Sequence, residues 1–166
     1  MGSNSPVSVC VPFFGDSIGG SLISSIYLIH ALRERKDIKV VVSVAVVGRG
    51  ARKLMENGIE VQVWREFKHM RYQGRLIPRI WVLGCSIVYA LKRIISEDLR
   101  VVHTNNATEH IVWSIACKLG GCYHIWHQRT KCINARTTVL GLACTPRVIC
   151  ISRYVESTLP RFVRRK

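Results

Sequence analysis

Polar residues and glycines typical of ligand-binding loops occur in four short segments of the 166-residue chain. Each segment follows a run of apolar residues that predicts a β-strand. The segments are Gly15–Ser21, Asn105–Asn106, His127–Thr130 and Ser152–Arg153. A glycine loop that opens a helix presents backbone N–H groups and the positive end of the helix dipole to phosphate. We therefore expect the four loops to share a ligand site, for which a phosphate group is the first candidate.

The first segment, Gly15–Ser21, differs from both common phosphate-binding motifs. It lacks the G-x-G-x-x-G spacing of a dinucleotide fingerprint. A P-loop requires Lys followed by Ser or Thr after its second glycine, whereas Gly20 is followed by Ser21 and Leu22. The remaining feature is the pair Gly19-Gly20 at a predicted helix start, and a purely structural turn would use the same residues.

An enzymatic alternative rests on Ser17. The sequence Phe14-Gly15-Asp16-Ser17-Ile18 resembles the opening block of SGNH/GDSL hydrolases, in which the serine after Gly-Asp is the nucleophile. Such a serine needs a histidine base that is oriented by a carboxylate. Those hydrolases supply both groups near the C-terminus, and this chain has no Asp after Asp98. An esterase that uses Ser17 is the chief enzymatic rival, and the missing C-terminal Asp counts against it.

The segments that must position these residues alternate between strand and helix patterns. This alternation predicts an α/β fold, a Rossmann-like doubly wound parallel sheet with helices on both faces, in one domain spanning residues 1–166. In that architecture ligands bind beyond the carboxyl ends of the strands, where the four polar segments lie. Apolar β-branched runs predict strands at 7–13, 38–47, 59–64, 101–106, 122–127 and 147–151. Helical spacing predicts helices at 21–35, 51–57, 80–96, 107–119, 137–143 and 152–163.

Composition limits the partners and the compartment. The net charge of +15 favours polyanionic partners, such as phosphate ligands or an anionic membrane surface. We expect no nucleic acid, because no aromatic-rich recognition module is visible. The seven cysteines form no C-x-x-C pair, so we predict free thiols in a reducing, cytoplasmic context. The longest apolar run, Ile80–Leu91, has 12 residues, fewer than the ~20 of a transmembrane helix.

Residues 65–93 combine basic and aromatic side chains. This mixture suits a segment at a membrane interface, with cations on lipid phosphates and aromatic rings at the headgroup level. The interpretation predicts peripheral association at the inner face of a membrane. The packing of a surface helix would account for the same pattern. The residues predicted to contact the membrane are Arg71, Tyr72, Arg75 and Arg79.

Four pieces of sequence, taken in order, resemble one enzyme family. They are Gly19-Gly20-Ser21 at a helix start, HTNN from His103, HIWHQRT from His124 and VICISRYVESTL from Val148. Together they resemble the N-terminal domain of GT-B glycosyltransferases of retaining family 4, over about residues 8–159. In that family the N-terminal domain binds the acceptor, and a C-terminal Rossmann-like domain binds most of the nucleotide sugar. The resemblance therefore implies that the donor-binding domain is absent here and that the chain alone is inactive.

The resemblance also implies roles for individual residues. The transferred sugar would come from a nucleotide diphosphate sugar and pass to a hydroxyl acceptor, lipid-linked or on a cell-surface glycan, with retention and with no metal or cofactor. His127 matches the histidine that hydrogen-bonds the transferred sugar and is the predicted catalytic residue. Residues implied for the donor phosphates and sugar are Gly19, Gly20, Ser21 and Arg153. Residues implied for the acceptor are Thr104, Asn105, Arg129 and Ser152.

The remaining possibilities concern binding and the other histidines. A non-catalytic, basic Rossmann-like module that docks on a membrane or a polyanion is the third candidate function. His124 lies in the middle of a predicted strand and is expected in the core. His30, His69 and His110 are expected on the surface of helices or loops.

Overall fold

The computed structural model describes residues 5–69, 76–105, 107–132 and 136–163, and within them six strands alternate with six α-helices. The strands are β1 (Val7–Phe13), β2 (Ile38–Val44), β3 (Gln62–Val63), β4 (Val101–Thr104), β5 (Tyr123–Gln128) and β6 (Arg147–Cys150). The helices are α1 (Gly20–Arg33), α2 (Arg49–Glu56), α3 (Leu76–Ser96), α4 (Ala107–Gly120), α5 (Arg136–Cys144) and α6 (Arg153–Ser157). A 3₁₀ turn spans Arg65–Phe67.

The six strands form one parallel sheet in the order β3-β2-β1-β4-β5-β6. The predicted Rossmann-like, doubly wound fold is therefore confirmed. Because crossovers between parallel strands are right-handed, α1 and α2 cover one face of the sheet, and α3, α4 and α5 cover the other. The strand order reverses between β1 and β4. In such sheets the crevice outside the carboxyl ends of those two strands is the usual place for a ligand.

Separate apolar clusters hold the helices on the two faces. The α1 and α2 face is aliphatic, with Ile29, Val42 and Leu54 almost fully buried. The α3 and α4 face has an aromatic centre in which the rings of Phe67 and Trp113 stack with centroids 5.6 Å apart. Shape-specific packing of this kind fixes each helix at one position on the sheet. The loops at the strand ends are therefore supported by a rigid framework.

Several element boundaries differ from the sequence predictions. Strand β2 ends at Val44 rather than at residue 47, and only its second half, from Val41, is buried. Strand β3 has two residues instead of six, because the Ile59 amide closes the end of α2 by donating to the Leu54 carbonyl. Helix α3 begins at Leu76, before Pro78, which is tolerated in a first turn where N–H groups have no helical partner.

The C-terminal helix is also shorter than predicted. Helix α6 ends at Ser157 instead of continuing to residue 163. The Thr158 hydroxyl donates to the Val155 carbonyl at 2.7 Å, and Pro160 has no N–H to offer a helix. Proline also disfavours a helical conformation of the residue before it, Leu159. The chain beyond α6 packs instead against a third cluster, in which Leu159 is buried.

Three further predictions concern membrane-spanning helices, the cysteines and the residues expected to contact a membrane. None of the helices in the described ranges is long and apolar enough to cross a membrane. All seven cysteines are free, and four of them, Cys10, Cys117, Cys122 and Cys132, are buried. Of the four predicted membrane contacts, Arg79 lies exposed in the first turn of α3. Arg71, Tyr72 and Arg75, like Asn106, lie outside the described residues.

Candidate functional site

A cleft of about 470 Å³ opens at the carboxyl edge of the sheet, where the strand order reverses. Its walls come from the start of α1, the residues after β4, the end of β5 and the residue after β6. The lining residues are Gly20, Ser21, Asn105, His110, Gln128, Arg129, Thr130 and Ile151. The structure thus brings together Gly20, Ser21, Asn105 and Arg129, four of the residues predicted for the site.

The first turn of α1 offers the cleft two unbonded backbone donors. The amides of Leu22 and Ile23 both donate to the Gly19 carbonyl, at 3.0 and 3.2 Å. The amides of Gly20 and Ser21 have no acceptor among the described residues, and Gly19 has no side chain that could cap them. Unbonded amides at a helix N-terminus, with the helix dipole behind them, attract anions.

The glycine pair at this turn is not required by the fold. A Cβ atom placed on Gly19 or Gly20 would meet no other atom within 4 Å, and Gly19 has ordinary extended geometry with φ of −158°. Gly15 is different. Its φ is +95°, and a Cβ there would lie 2.2 Å from the Val46 carbonyl oxygen. Gly15 is therefore the structural glycine of this loop, and Gly19-Gly20 leave open space beside the cleft.

Arg129 and Asn105 form the floor of the cleft. The Arg129 Nε group donates to Asn105 Oδ1 at 3.2 Å, which fixes the Asn105 amide so that Nδ2 is its donor end. Asn105 is 4% exposed, and its Nδ2 atom has no hydrogen-bond partner in the described part of the chain. Burial lowers the pKa of Arg129, and no described carboxylate pairs with this guanidinium. A half-buried cation and an unsatisfied donor together favour an anionic ligand.

His127, the predicted catalytic residue, is the next-to-last residue of β5 and contacts Arg129, but it is not one of the residues that line the cleft. The Arg129 Nη2 group is 3.3 Å from His127 Nδ1. A guanidinium can only donate, so Nδ1 must accept and the proton of the neutral imidazole is on Nε2. Burial and the nearby Arg129 charge both lower the pKa of His127, in agreement with a neutral ring. His127 therefore has an Nε2–H group available as a donor.

Thr104, predicted as an acceptor contact, lies beneath the cleft instead of lining it. The residue is fully buried, and its hydroxyl is 2.6 Å from His110 Nδ1 and 2.9 Å from His124 Nε2. His124 Nδ1 in turn lies 2.9 Å from the Thr145 hydroxyl. Four buried side chains thus form one hydrogen-bonded chain from the interior to the cleft. The prediction that His124 belongs to the core is confirmed.

The direction of the hydrogen bonds in this chain can run either way. In one order His110 donates to Thr104, Thr104 to His124, and His124 to Thr145, whose hydroxyl donates to the Gly141 carbonyl at 2.9 Å. In the reverse order the other ring nitrogen of His110 carries the proton and donates it in a hydrogen bond to the His127 backbone. Either order gives each of the four side chains at least one hydrogen bond, as buried polar groups require.

His110 was expected on the surface, and this prediction is wrong. It is 2% exposed, lines the cleft and stacks on Trp126 with ring centroids 4.2 Å apart. Burial lowers its pKa well below the usual value. The sequence contained a signal for this, because His110 shares the helical i, i+3, i+4, i+7 spacing with the buried residues Trp113, Ser114 and Cys117. His30 and His69 are exposed, as predicted.

His103 is the third buried imidazole near the cleft, after His110 and His124. Its ring centroid lies 5.5 Å from that of His127. Burial, with smaller contributions from His127 and Arg129, lowers the pKa of His103 to about 4, and burial lowers that of His124 to about 3. All four histidines around the cleft are therefore neutral near pH 7. No group of three or more metal-ligating side chains converges within the described residues.

The remaining predicted residues lie at the margin of the site. Gly19 lines a separate pocket of about 80 Å³ with Ser17, next to the cleft. Ser152 caps α6, accepting from the Val155 amide at 3.2 Å, and Arg153 is exposed in the first position of that short helix. The residue before them, Ile151, is the part of this segment that lines the cleft.

Several solved structures have a fold similar to that of this chain. No protein-family model and no curated protein sequence matches the chain. MurG of Acinetobacter baumannii is similar at a TM-score of 0.66 and 14% identity, over 93% of this chain and 43% of that protein. A putative UDP-N-acetylglucosamine 2-epimerase from Listeria monocytogenes has a TM-score of 0.65 and 11% identity, with coverage of 93% and 42%. Alr3699/HepE of Anabaena, in complex with UDP and glucose, has a TM-score of 0.61 and 14% identity, over 90% of this chain and 39% of that protein.

The likeness concerns the fold and only part of each larger protein. This chain spans about two fifths of the length of the structures that it matches. At identities of 11–14% the likeness establishes architecture rather than family membership. The chain therefore has a Rossmann-like fold of the kind that GT-B enzymes contain, with its cleft at the topological switch point of the sheet.

Proposed function

We propose that this chain is the acceptor-binding domain of a retaining glycosyltransferase, which moves a sugar from a nucleotide diphosphate sugar to a hydroxyl acceptor. The observation that carries the proposal is the set of unmet donors in the cleft. Two backbone amides, from Gly20 and Ser21, face the same cleft as Asn105 Nδ2 and the guanidinium of Arg129, which no carboxylate of the described residues pairs with. A diphosphate offers enough acceptor oxygens for all four.

The chemistry of sugar transfer requires such groups. The leaving diphosphate gains negative charge in the transition state, and preorganised donors aimed at that charge lower the barrier. The amides of α1 cost no reorganisation, and the Arg129 fork is held in place by Asn105 and His127. In this proposal His127 donates its Nε2–H to a hydroxyl of the transferred sugar and, because it is neutral, does not compete with Arg129 for the phosphates.

The acceptor would enter beside the polar residues after β4 and β5. Asn105 and Arg129, predicted for the acceptor, occupy the floor of the cleft together with Gln128 and Thr130. In this proposal the diphosphate takes the donors of Asn105 and Arg129, and Gln128 and Thr130 remain to orient the acceptor hydroxyl. Thr104 contributes indirectly in this scheme, because it holds His110 against the floor by the 2.6 Å contact.

A second Rossmann-like half is part of the proposal. It would bind the nucleotide and close over the cleft, since the groups described above come from one wall only. The solved structures that resemble the chain include complexes with UDP, with UDP-glucose and with UDP-GlcNAc. These structures support a role in nucleotide-sugar chemistry. Because they include epimerases as well as MurG, the assignment of transfer to an acceptor rests on the sequence resemblance.

The esterase alternative receives no support from the geometry of Ser17. Its hydroxyl donates to Asp16 Oδ1 at 3.2 Å on the exposed surface. Within the described ranges no imidazole lies within hydrogen-bond distance of this hydroxyl, and a nucleophilic serine needs such a base.

The experiment is an NMR titration of the ¹⁵N-labelled chain with pyrophosphate and with UDP-glucose. We expect the backbone amide signals of Gly20 and Ser21 to shift with both ligands. Arg129→Gln should weaken binding at least roughly tenfold, the cost of one charge-assisted hydrogen-bonding group.

Arg52→Gln is the matched control, because Arg52 is an exposed arginine on α2. It should leave the titration unchanged. Shifts that spare Gly20 and Ser21, or an Arg129→Gln variant that binds like the parent, would refute the assignment of this cleft to a diphosphate.

A further inference from the structure

Helix α3 carries two apolar faces, and only one of them is used by the core. The inner face, which includes Leu83, Ile87, Ala90 and Ile94, packs into the cluster around Trp113. The outer face repeats apolar residues at i, i+3, i+4, i+7, i+8, i+11 and i+12. Those positions are Ile77, Ile80, Trp81, Gly84, Cys85, Val88 and Tyr89. An amphipathic surface helix would have polar residues at these places.

The outer face is open to solvent and forms a shallow groove of about 530 Å³. Ile77 is 81% exposed, Ile80 62% and Trp81 73%, so the largest side chains are also among the most exposed. Scattered apolar residues on a surface are normal, whereas a contiguous patch marks an interaction site. The outer face of α3 is such a contiguous apolar patch.

The charges around the groove indicate its partner. Residues 76–96 contain no Asp or Glu. Arg79 and Lys92, near the two ends of the groove, are both exposed, and Lys92 lines it. Glu66 and Glu97, which contact α3, are both paired with Arg93, at 2.7 and 3.7 Å. Among the described residues no acid pairs with Arg79 or Lys92, so the surface combines an apolar centre with positive charge.

We propose that the outer face of α3 docks on an anionic lipid bilayer, with the helix axis in the plane of the interface. Ile77, Ile80 and Val88 enter the acyl boundary, and Trp81 and Tyr89 lie at the headgroup level, where amphipathic rings are stable. Arg79 and Lys92 contact lipid phosphates. A second copy of the chain is a poor occupant, because it would bring two highly cationic proteins, each of net charge +15, face to face.

The orientation of α3 relates this surface to the cleft. Because α3 joins parallel strands β3 and β4, its first turn lies at the carboxyl edge of the sheet, the edge at which the cleft opens. The end of the apolar face that contains Ile77 and Trp81 is thus on the cleft side of the molecule. Membrane docking would bring the cleft towards acceptors in the bilayer, but the docking itself does not depend on the proposed sugar transfer.

Tryptophan fluorescence offers a direct test, because the chain has four tryptophans and only Trp81 is exposed. Trp64, Trp113 and Trp126 are 3%, 1% and 1% exposed. We expect phosphatidylglycerol-containing vesicles to shift the emission to shorter wavelengths, and brominated lipids to quench it. Trp81→Phe should abolish both signals while the protein still sediments with the vesicles.

Sedimentation with vesicles measures the contribution of each group. Ile80→Gln with Trp81→Gln should weaken binding at least roughly tenfold, because two apolar side chains no longer enter the interface. Arg79→Gln with Lys92→Gln should weaken binding to anionic vesicles about thirtyfold, from about fivefold per cation.

The controls change matched residues on the opposite face of the sheet. Tyr27→Gln removes an aromatic side chain that is 72% exposed on α1, and Arg52→Gln with Lys36→Gln removes two exposed cations. Both should bind vesicles like the parent protein. Circular dichroism checks that each variant is folded, as expected for substitutions at exposed positions.

Four outcomes would overturn the proposal. Two are vesicle results: no sedimentation with anionic vesicles, or equal binding to neutral phosphatidylcholine vesicles. The third is a loss of binding that is as large in the controls as in the α3 variants. The fourth is a stable oligomer in light scattering that Trp81→Gln dissociates. The last result would assign the surface to self-association. None of these measurements depends on catalysis, so a failure here is distinguishable from a failure of the proposed transferase function.

Discussion

At the scale of single residues, Arg129 is the charged side chain that lines the cleft. Its guanidinium is half-buried, contacts the neutral side chains of Asn105 and His127, and has no carboxylate partner in the described structure. An unpaired cation in a partly desolvated position is costly in the free protein. An incoming anion removes that cost, and the amides of Gly20 and Ser21 add donors without a charge.

The glycines of the first loop divide into structural and ligand-facing positions, and substitution should separate them. Gly15→Ala combines a left-handed backbone with a clash against the Val46 carbonyl, so we expect a loss of about 2–4 kcal/mol in the free energy of unfolding. Gly20→Ala should leave that free energy within about 0.5 kcal/mol of the parent but weaken pyrophosphate binding. Urea denaturation and the NMR titration measure the two effects. Equal stability of the two variants would contradict this division.

The buried histidines predict a dependence of stability on pH. In the folded chain the pKa of His103 is about 4 and that of His124 about 3, whereas an unfolded histidine titrates near 6.5. Between these values the unfolded chain binds more protons than the folded one, so the free energy of unfolding should fall as the pH drops from about 6.5. The slope is up to about 1.4 kcal/mol per pH unit for each histidine.

Urea denaturation at a series of pH values tests this expectation. His103→Gln removes one titrating group and should make the slope shallower, and His30→Gln, at an exposed position on α1, is the control that should leave it unchanged. A stability that is independent of pH below 6, or a slope that His103→Gln does not alter, would refute the mechanism.

At the scale of elements, the loops after the strands owe their positions to the two-faced packing of the sheet. The chain crosses from β3 to β4 through α3, and this crossover creates the switch point between β1 and β4. Arg93 holds α3 to the 3₁₀ turn, because its guanidinium pairs with Glu66 at 2.7 Å and lies 4.9 Å above the Trp64 ring. The outer face of α3 is consequently presented on a fixed helix.

Ser152 has a structural role at the start of α6 that predicts the effect of its substitution. Its hydroxyl accepts from the Val155 amide, so Ser152→Ala should lower the free energy of unfolding by about 1 kcal/mol. Ser152→Asn keeps a cap and should be close to neutral. An unchanged free energy of unfolding in Ser152→Ala would contradict the capping role and leave the predicted acceptor role of Ser152.

At the scale of the whole molecule, the cleft has its described donors on one side. Its donors come from the ends of β4 and β5 and the start of α1, and all belong to the same edge of a single sheet. The proposed transferase therefore needs a second, nucleotide-binding half that faces this edge. The unpaired charge of Arg129 and the net charge of +15 would both favour association with an anionic donor substrate.

His127 should control turnover once both halves are combined. His127→Ala removes a neutral donor to the sugar, and we expect kcat to fall by about 10²–10³, the effect of removing one preorganised donor. His127→Gln, which keeps an N–H group, should recover part of the activity. His30→Ala is the control at an exposed position. Turnover at the parent rate in His127→Ala would disprove the role of this residue.

The fold class and the positions of the polar loops follow from the sequence alone. Period-two and helical spacing are local consequences of backbone geometry, so β1 could be placed at its observed bounds, and the parallel, doubly wound sheet could be predicted. The same reasoning located Gly20, Ser21, Asn105 and Arg129, because loops at the carboxyl ends of parallel strands meet at one edge.

The tertiary structure alone decided which of these side chains are free to bind. Thr104 and Asn105 are adjacent and polar, yet the hydroxyl of Thr104 is satisfied by two histidines, while Asn105 Nδ2 has no described partner. Such satisfaction depends on contacts between residues as far apart as Thr104 and His124, which no local pattern encodes. The same holds for the exposed outer face of α3, because only the packing of its inner face against the core shows which apolar stripe remains uncovered.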